Sequence, residues 1–382
     1  MMRLRQSPVF PLAPSFAPVS PDSLESADRV PDYLKATAGA SPEAAARLAK
    51  LVRTVLFGGT LPASLKLAMG AQVAQQCQAH YALAHIQRLA KVVRGSDPRT
   101  ALATRYATDL TRDVHGVSDE AFNVINTRFN DAQVVELTMV TCFFNYFSRL
   151  TIGLGVVPEP WLATSPPQVP SQEISALTMA RVALASDAEL AMAGALLERA
   201  KSGAANSLGI GIANSQRAMV RVPDIYDAWM GGFGAPRAAG SPPAPVIVPR
   251  TTMLQVSLAV SQANGCRYCV LHQVQGLRRQ GVEIGKLLAL EKSDSALSPD
   301  EKAAVDFARK LTKAPGTLTE ADRAVLQKSF PGPAAFEVLH QTCRFAFMNR
   351  FTDGLRLPSE DEAVKTYREV YGGNFPEKGK KN

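Results

Sequence analysis

The chain has 382 residues, 46% of them apolar and 20% charged. At about 150 residues per domain that is two to three domains' worth, with enough apolar side chains to close sizeable cores, so wholesale disorder is excluded. The net charge is +8, but part of it sits in the end segments. Elsewhere acids and bases alternate without a basic block or interleaved aromatics, so no nucleic-acid partner is expected.

In chain order, the opening stretch MMRLRQSPVFPLAPSFAPVSP has early arginines, but Pro8, Pro11, Pro14 and Pro18 interrupt its apolar run. It is expected to be a flexible tail over 1–28, and the protein cytoplasmic. The longest stretch free of Lys, Arg, Asp and Glu, Leu67 to Gln87, contains five glutamines and two histidines, which argues against a membrane span.

The sequence then repeats itself. RVPDYL at Arg29 is echoed by RVPDIY at Arg221, and LAMGAQVAQQCQAHYALAH by LAVSQANGCRYCVLHQVQG. Aligned on Cys77 and Cys266, the second pair differs by 189 positions (266 − 77). Leu110/Leu311, Phe129/Phe330, Glu136/Glu337, Cys142/Cys343, Arg149/Arg350 and Gly153/Gly354 all differ by 201 (for example 311 − 110). About twelve extra residues are therefore expected in the second unit, near VEIGKLLALEKSD. The apolar spacing within each unit is helical, with starts expected at Ser118, Asp131, Ser298 and Thr319. An all-α tandem duplication follows. Its parts are the tail 1–28, a degenerate unit 29–160, a linker with a helix over 161–220, a unit with the cysteine pair over 221–366, and a basic tail 367–382.

The chemistry concentrates in NGCRYCVLHQ. Five cysteines is an odd and sparse number for this length, so a secreted disulfide framework is excluded and a close pair is expected to be catalytic or metal-binding. Cys266, Cys269 and His272 stand three apart, on one helix face. With Asn264-Gly265 as a helix start, Cys266 would lie in the first turn, where the dipole favours a thiolate. A second thiol one turn away can trap a sulfenic acid as a disulfide, and the imidazole can relay a proton.

Structural zinc wants four ligands and finds three; haem attachment needs His where Val270 stands. Inert buried thiols remain an alternative. By the alignment on cysteines, His80 and Leu83 of the first unit replace Cys269 and His272, which makes that unit structural. His80 and His85 are too poorly spaced for a metal clamp, Cys142 and Cys343 read as core, His115 as solvated and His340 as an interior histidine.

The segments LAVSQANGCRYCVLH and AAVDFARKLTKAPGTLTEADRAVLQKSF…CRFAFMNRFTDGL resemble the carboxymuconolactone decarboxylase and AhpD-like alkylhydroperoxidase superfamily. The likeness spans nearly all of Arg221 to Pro358 and, more weakly, Arg29 to Pro160. It implies a helical fold, oligomers (with a homo-oligomer left open here), and hydroperoxide reduction without a bound cofactor. Cys269 would be the peroxidatic nucleophile, Cys266 the resolving thiol and His272 part of a proton relay, with a small-molecule hydroperoxide and an external dithiol protein as partners. Two departures stand out. The family's histidine usually lies four residues after the second cysteine, where this chain has Gln273. A relay glutamate usually lies twelve before the first, where this chain has Leu254. A non-catalytic scaffold and a decarboxylase-like lyase are the competing functions.

Overall fold

The computed structural model describes residues 24, 29–93, 95–163, 184–192, 212–232, 247–292 and 294–372. The expected N-terminal tail, apart from Leu24, most of the expected linker and the last ten residues lie outside them. The described residues form seventeen α-helices and three short 3-10 turns, with no strand.

The first set comprises α1 (Asp32–Ala40), α2 (Pro42–Phe57), α3 (Ala63–Gln76), α4 (His80–Ala90), α5 (Thr100–Arg112), α6 (Asp119–Asn126) and α7 (Asp131–Leu154). Two short helices, α8 (Asp187–Met192) and α9 (Asn214–Met219), follow. The second set comprises α10 (Pro223–Gly232), α11 (Arg250–Asn264), α12 (Arg267–Arg279), α13 (Ile284–Lys292), α14 (Pro299–Lys313), α15 (Glu320–Ser329), α16 (Pro333–Gly354) and α17 (Asp361–Tyr371).

The helix starts obey capping chemistry. Ser118 accepts from Ala121 N, while Ser298 with Glu301 and Thr319 with Asp322 form capping boxes, satisfying N–H groups that lack intrahelical partners. At the start expected on Asp131 the cap is one residue earlier, Asn130, boxed with Gln133. The expected unit boundary at 366 falls inside α17, which runs to Tyr371.

The helix order is consistent with a duplicated unit: α3 to α7 parallel α11, α12 and α14 to α16, and α13, the helix without a counterpart, lies in the expected insertion. The register differs from the one drawn through the cysteines. The N-caps of α3 and α11 are Pro62 and Pro249, an offset of 187 (249 − 62). The left-handed residues before the next helices are Gln78 (φ 56°) and Gly265 (φ 70°), the same offset (265 − 78). Cys266 and Cys269 therefore correspond to Ala79 and Ala82, and His272 to His85. His80 and Leu83 are not the counterparts of Cys269 and His272. A glutamine in a left-handed turn leaves no mark in the sequence, so the cysteines misled the alignment.

Helices α7 and α16 form the most extensive pair. α7 is buried almost all round from Val134 to Leu154, as a central core helix must be. Gly153 of α7 lies against Leu339 of α16, and a Cβ on Gly354 at the end of α16 would come within 3.0 Å of Leu110 of α5. One apolar cluster runs through both units; a smaller one joins α11, α12, α13 and α17. No described helix is long and apolar enough to cross a membrane.

The first unit also buries an ion pair. Lys66 Nζ lies 2.6 Å from Glu136 Oε1, and the carboxylate accepts from Thr60 N, Thr60 Oγ1 and Leu61 N. Burial pushes the Lys66 ammonium down, and Glu136 opposes that fall. The corresponding residue of the second unit is Met253. Removing one partner of a buried pair strands the other, so Lys66→Met is expected to cost about 3 kcal/mol, read as a lower urea midpoint at unchanged slope. An unchanged midpoint would contradict that assignment.

Candidate active site

α11 ends at Asn264, and Gly265 at φ 70° turns the chain so that Cys266 becomes the N-cap of α12. Asn264-Gly265 thus closes one helix rather than opening the next. Cys266 Sγ accepts from Cys269 N at 3.4 Å, so the first sulfur caps the helix at the position of the second, Cys269, in the first turn.

Both sulfurs flank one hydroxyl: Thr352 Oγ1 is 3.3 Å from Cys266 Sγ and 3.6 Å from Cys269 Sγ. Both thiols are free. Their surroundings differ. Cys266 is fully buried and donates to Asp353 Oδ1 at 3.3 Å. Burial, the Cys269 thiol and the Asp353 charge together push its thiol well above the usual range. Cys269, in contrast, lines a cavity of about 100 Å³ with His272, Tyr268 and the apolar side chains of Trp229, Met230 and Met348.

The histidine is held at both nitrogens. Nδ1 lies 2.6 Å from Tyr268 O, and Nε2 lies 2.6 Å from Glu360 Oε2. Glu360 Oε1 accepts from Tyr268 Oη at 3.0 Å and from Asn214 N at 2.7 Å. The Tyr268 ring stacks on His272, centroids 4.2 Å apart. Burial raises the Glu360 carboxyl, but the His272 contact and backbone N–H donors outweigh it and hold the group below its ordinary value. Burial, followed by the neighbouring Glu360 charge, raises the Tyr268 phenol, so it stays a donor.

The expected residues Cys266, Cys269 and His272 are therefore brought together. Leu254 offers no carboxylate; Glu360 supplies one from the opposite direction, just before α17. The first unit carries the same arrangement without sulfur. Tyr81 Oη donates to Glu159 Oε1 at 2.6 Å, His85 Nε2 lies 3.0 Å from Glu159 Oε2, and Asp32 N donates to the same carboxylate. The signal lay in the sequence: Glu360 and Glu159 differ by 201 (360 − 159), the offset of the surrounding block.

His115 is not simply solvated. From the loop after α5 its Nε2 reaches Asp353 Oδ2 at 2.8 Å, so the first unit touches the carboxylate beside Cys266. Cys142 and Cys343 are buried in α7 and α16, and burial raises both thiols. Burial, with Arg344 and Arg47 nearby, holds His340 down at about 3; its ring packs on Phe336 and Tyr146. Among the described residues no group of three or more His, Cys, Asp or Glu side chains is placed to hold a metal ion.

Residues 223–314 match the model of the carboxymuconolactone decarboxylase family. The match contains Cys266, Cys269 and His272 and stops before Thr352, Asp353 and Glu360. Two crystal structures are similar to about half of the chain: the debrominase Bmp8 without ligand, and a Bmp8 variant in complex with 2,3,4-tribromopyrrole. They are 22% and 20% identical, with TM-scores of 0.42 and 0.41, and the matches cover 50% of this chain and 97% and 96% of theirs. No curated protein matches the chain.

Because the Glu360 carboxyl is held below its ordinary value of 4.5, the stability it contributes is present above that pH and is lost as pH falls through the lowered value. Glu360→Gln is accordingly expected to lower Tm at neutral pH, with the gap to the unmodified protein closing in acid. A gap that widens in acid would contradict the assignment.

Proposed function

We propose that the chain is a thiol-dependent peroxidase-like oxidoreductase that reduces organic hydroperoxides, with Cys269 as nucleophile and Cys266 as resolving thiol. The observation that carries this reading is the division of surroundings. Cys269 faces a cavity with His272, whose Nε2 lies against Glu360, while Cys266 lies outside that lining as a buried thiol. The apolar wall of Trp229, Met230 and Met348 suits an organic hydroperoxide over hydrogen peroxide.

The Cys269 thiolate attacks the terminal peroxide oxygen. The O–O bond breaks, an S–O bond forms, and the departing alkoxide takes back, from the His272 imidazolium, the proton that the Cys269 thiol gave up to it, leaving alcohol and a Cys269 sulfenic acid. The Tyr268 carbonyl accepts from Nδ1 and Glu360 Oε2 lies 2.6 Å from Nε2, contacts that orient the ring. Cys266 then gives its proton to Asp353, to which it already donates, and its sulfur displaces hydroxide from the sulfenic sulfur. Hydroxide leaves as water once protonated, and the Cys266–Cys269 disulfide remains. The exposed edge of His115 connects Asp353 to solvent, so the first unit supplies the exit for this proton. An external dithiol protein returns both electrons by disulfide exchange.

Burial of both sulfurs favours the competing reading, a non-catalytic scaffold. One experiment separates the two: the reduced protein receives one equivalent of cumene hydroperoxide, and intact mass and peptide maps are followed in time. The expected result is loss of two hydrogens, mapped to a Cys266–Cys269 bridge. Glu360→Gln should slow it about a hundredfold, and His115→Asn should delay bridge closure while leaving sulfenic acid formation intact. Thiols that stay reduced, or that oxidise no faster than a free cysteine peptide, would overturn the proposal in favour of the scaffold.

A further inference from the structure

A second cavity, of about 590 Å³, lies where the two units meet, apart from the one that Cys269 faces. Its lining comes in equivalent pairs at the 201 offset: Arg149 and Arg350, Thr111 and Thr312, Arg112 and Lys313. Each central arginine crosses to the other unit. Arg350 Nη2 donates to Thr111 O at 3.0 Å, and Arg149 Nη2 reaches Thr312 O at 3.5 Å. These carbonyls lie in the last turns of α5 and α14, whose partial negative charge attracts a cation. Nη1 of Arg350 donates to Ala346 O, and Nη1 of Arg149 to Asn145 O and Oδ1 and to Cys77 Sγ.

Those contacts do not complete either group. Both side chains are only 3% exposed, and the Nε of each has no hydrogen-bond acceptor. Neither guanidinium pairs with a carboxylate among the described residues, and Asp113 is the sole acid in the lining against four cations. Asp113 is already engaged, accepting from His115 N at 3.0 Å. Burial, followed by the neighbouring Arg149, pulls Arg350 down to about 9. Two buried like charges with unused donors are costly unless an anion answers both, and guanidinium forks match the oxygens of phosphates and carboxylates.

We propose that the cavity between the units binds a small oxyanion with two or more negative charges, of the phosphate or polycarboxylate class. Arg149 and Arg350 hold it from opposite units, and the exposed Arg112 and Lys313 attract it at the rim. Occupancy ties the first unit to the second without touching Cys269.

The test uses the full-length protein, with pyrophosphate and citrate as probes, by thermal shift and calorimetry against sodium chloride of equal ionic strength. The proposal expects a saturable rise in Tm with at least one probe. Saturation by pyrophosphate alone assigns the phosphate class, and by citrate alone the polycarboxylate class. The rim variant with Arg112→Ala and Lys313→Ala, which disturbs no buried contact, should weaken binding about tenfold, and Arg350→Gln should abolish it. If Arg350→Gln does not fold, the rim variant decides. A Tm response matched by sodium chloride, or binding unaffected by the rim variant, would overturn the proposal.

Discussion

A carboxylate from beyond the longest helix of each unit reaches back to a tyrosine and a histidine one turn apart on another helix, and the candidate site is built on that contact. Glu360 engages Tyr268, His272 and Asn214 N; Glu159 engages Tyr81, His85 and Asp32 N. Each carboxylate thus ties three segments together: the helix with the histidine, the chain leaving the long helix, and a short helix start. A buried carboxylate with so many donors is satisfied only when all three are in place, so a polar contact specifies geometry that apolar packing alone would leave loose.

The second unit adds two sulfurs to this clamp where the first has Ala79 and Ala82. α12 turns away from α11 at Gly265, which aims Cys269 at the cavity and leaves Cys266 outside its lining. At the end of α16, Thr352 meets both sulfurs and Asp353 meets Cys266, and His115 arrives from the first unit. The first unit therefore contributes more than packing: it touches the carboxylate beside Cys266, and it shares the arginine-lined cavity. Lys66 and Glu136, a buried pair with no counterpart at Met253, show that the units have diverged in their cores as well.

Much of this was legible in the sequence. Helical spacing and caps located the all-α elements, and CxxC with a histidine three residues later singled out side chains that α12 places near one another. What escaped were groups that act across long sequence separations. Glu360 is 88 residues from His272 (360 − 272), and no local pattern points from one to the other; only the repeat offset linking it to Glu159 does. His115 belongs to the other unit, in a polar turn that looks solvated from its neighbours alone. The register error has a backbone cause, since Gln78 and Gly265 share a left-handed conformation that only the glycine advertises.

The central claim is that Cys269 is the reactive thiol and Cys266 the protected one, and alkylation kinetics test it most directly. In the single variants Cys266→Ser and Cys269→Ser, iodoacetamide labelling of the remaining thiol of the pair is followed by peptide mass across pH. The account predicts that Cys269 labels faster than a free cysteine peptide at neutral pH. Cys266, held as a thiol by burial and by Asp353, labels only as the solution becomes strongly alkaline. The reverse order, or equal slow labelling of both, would contradict it.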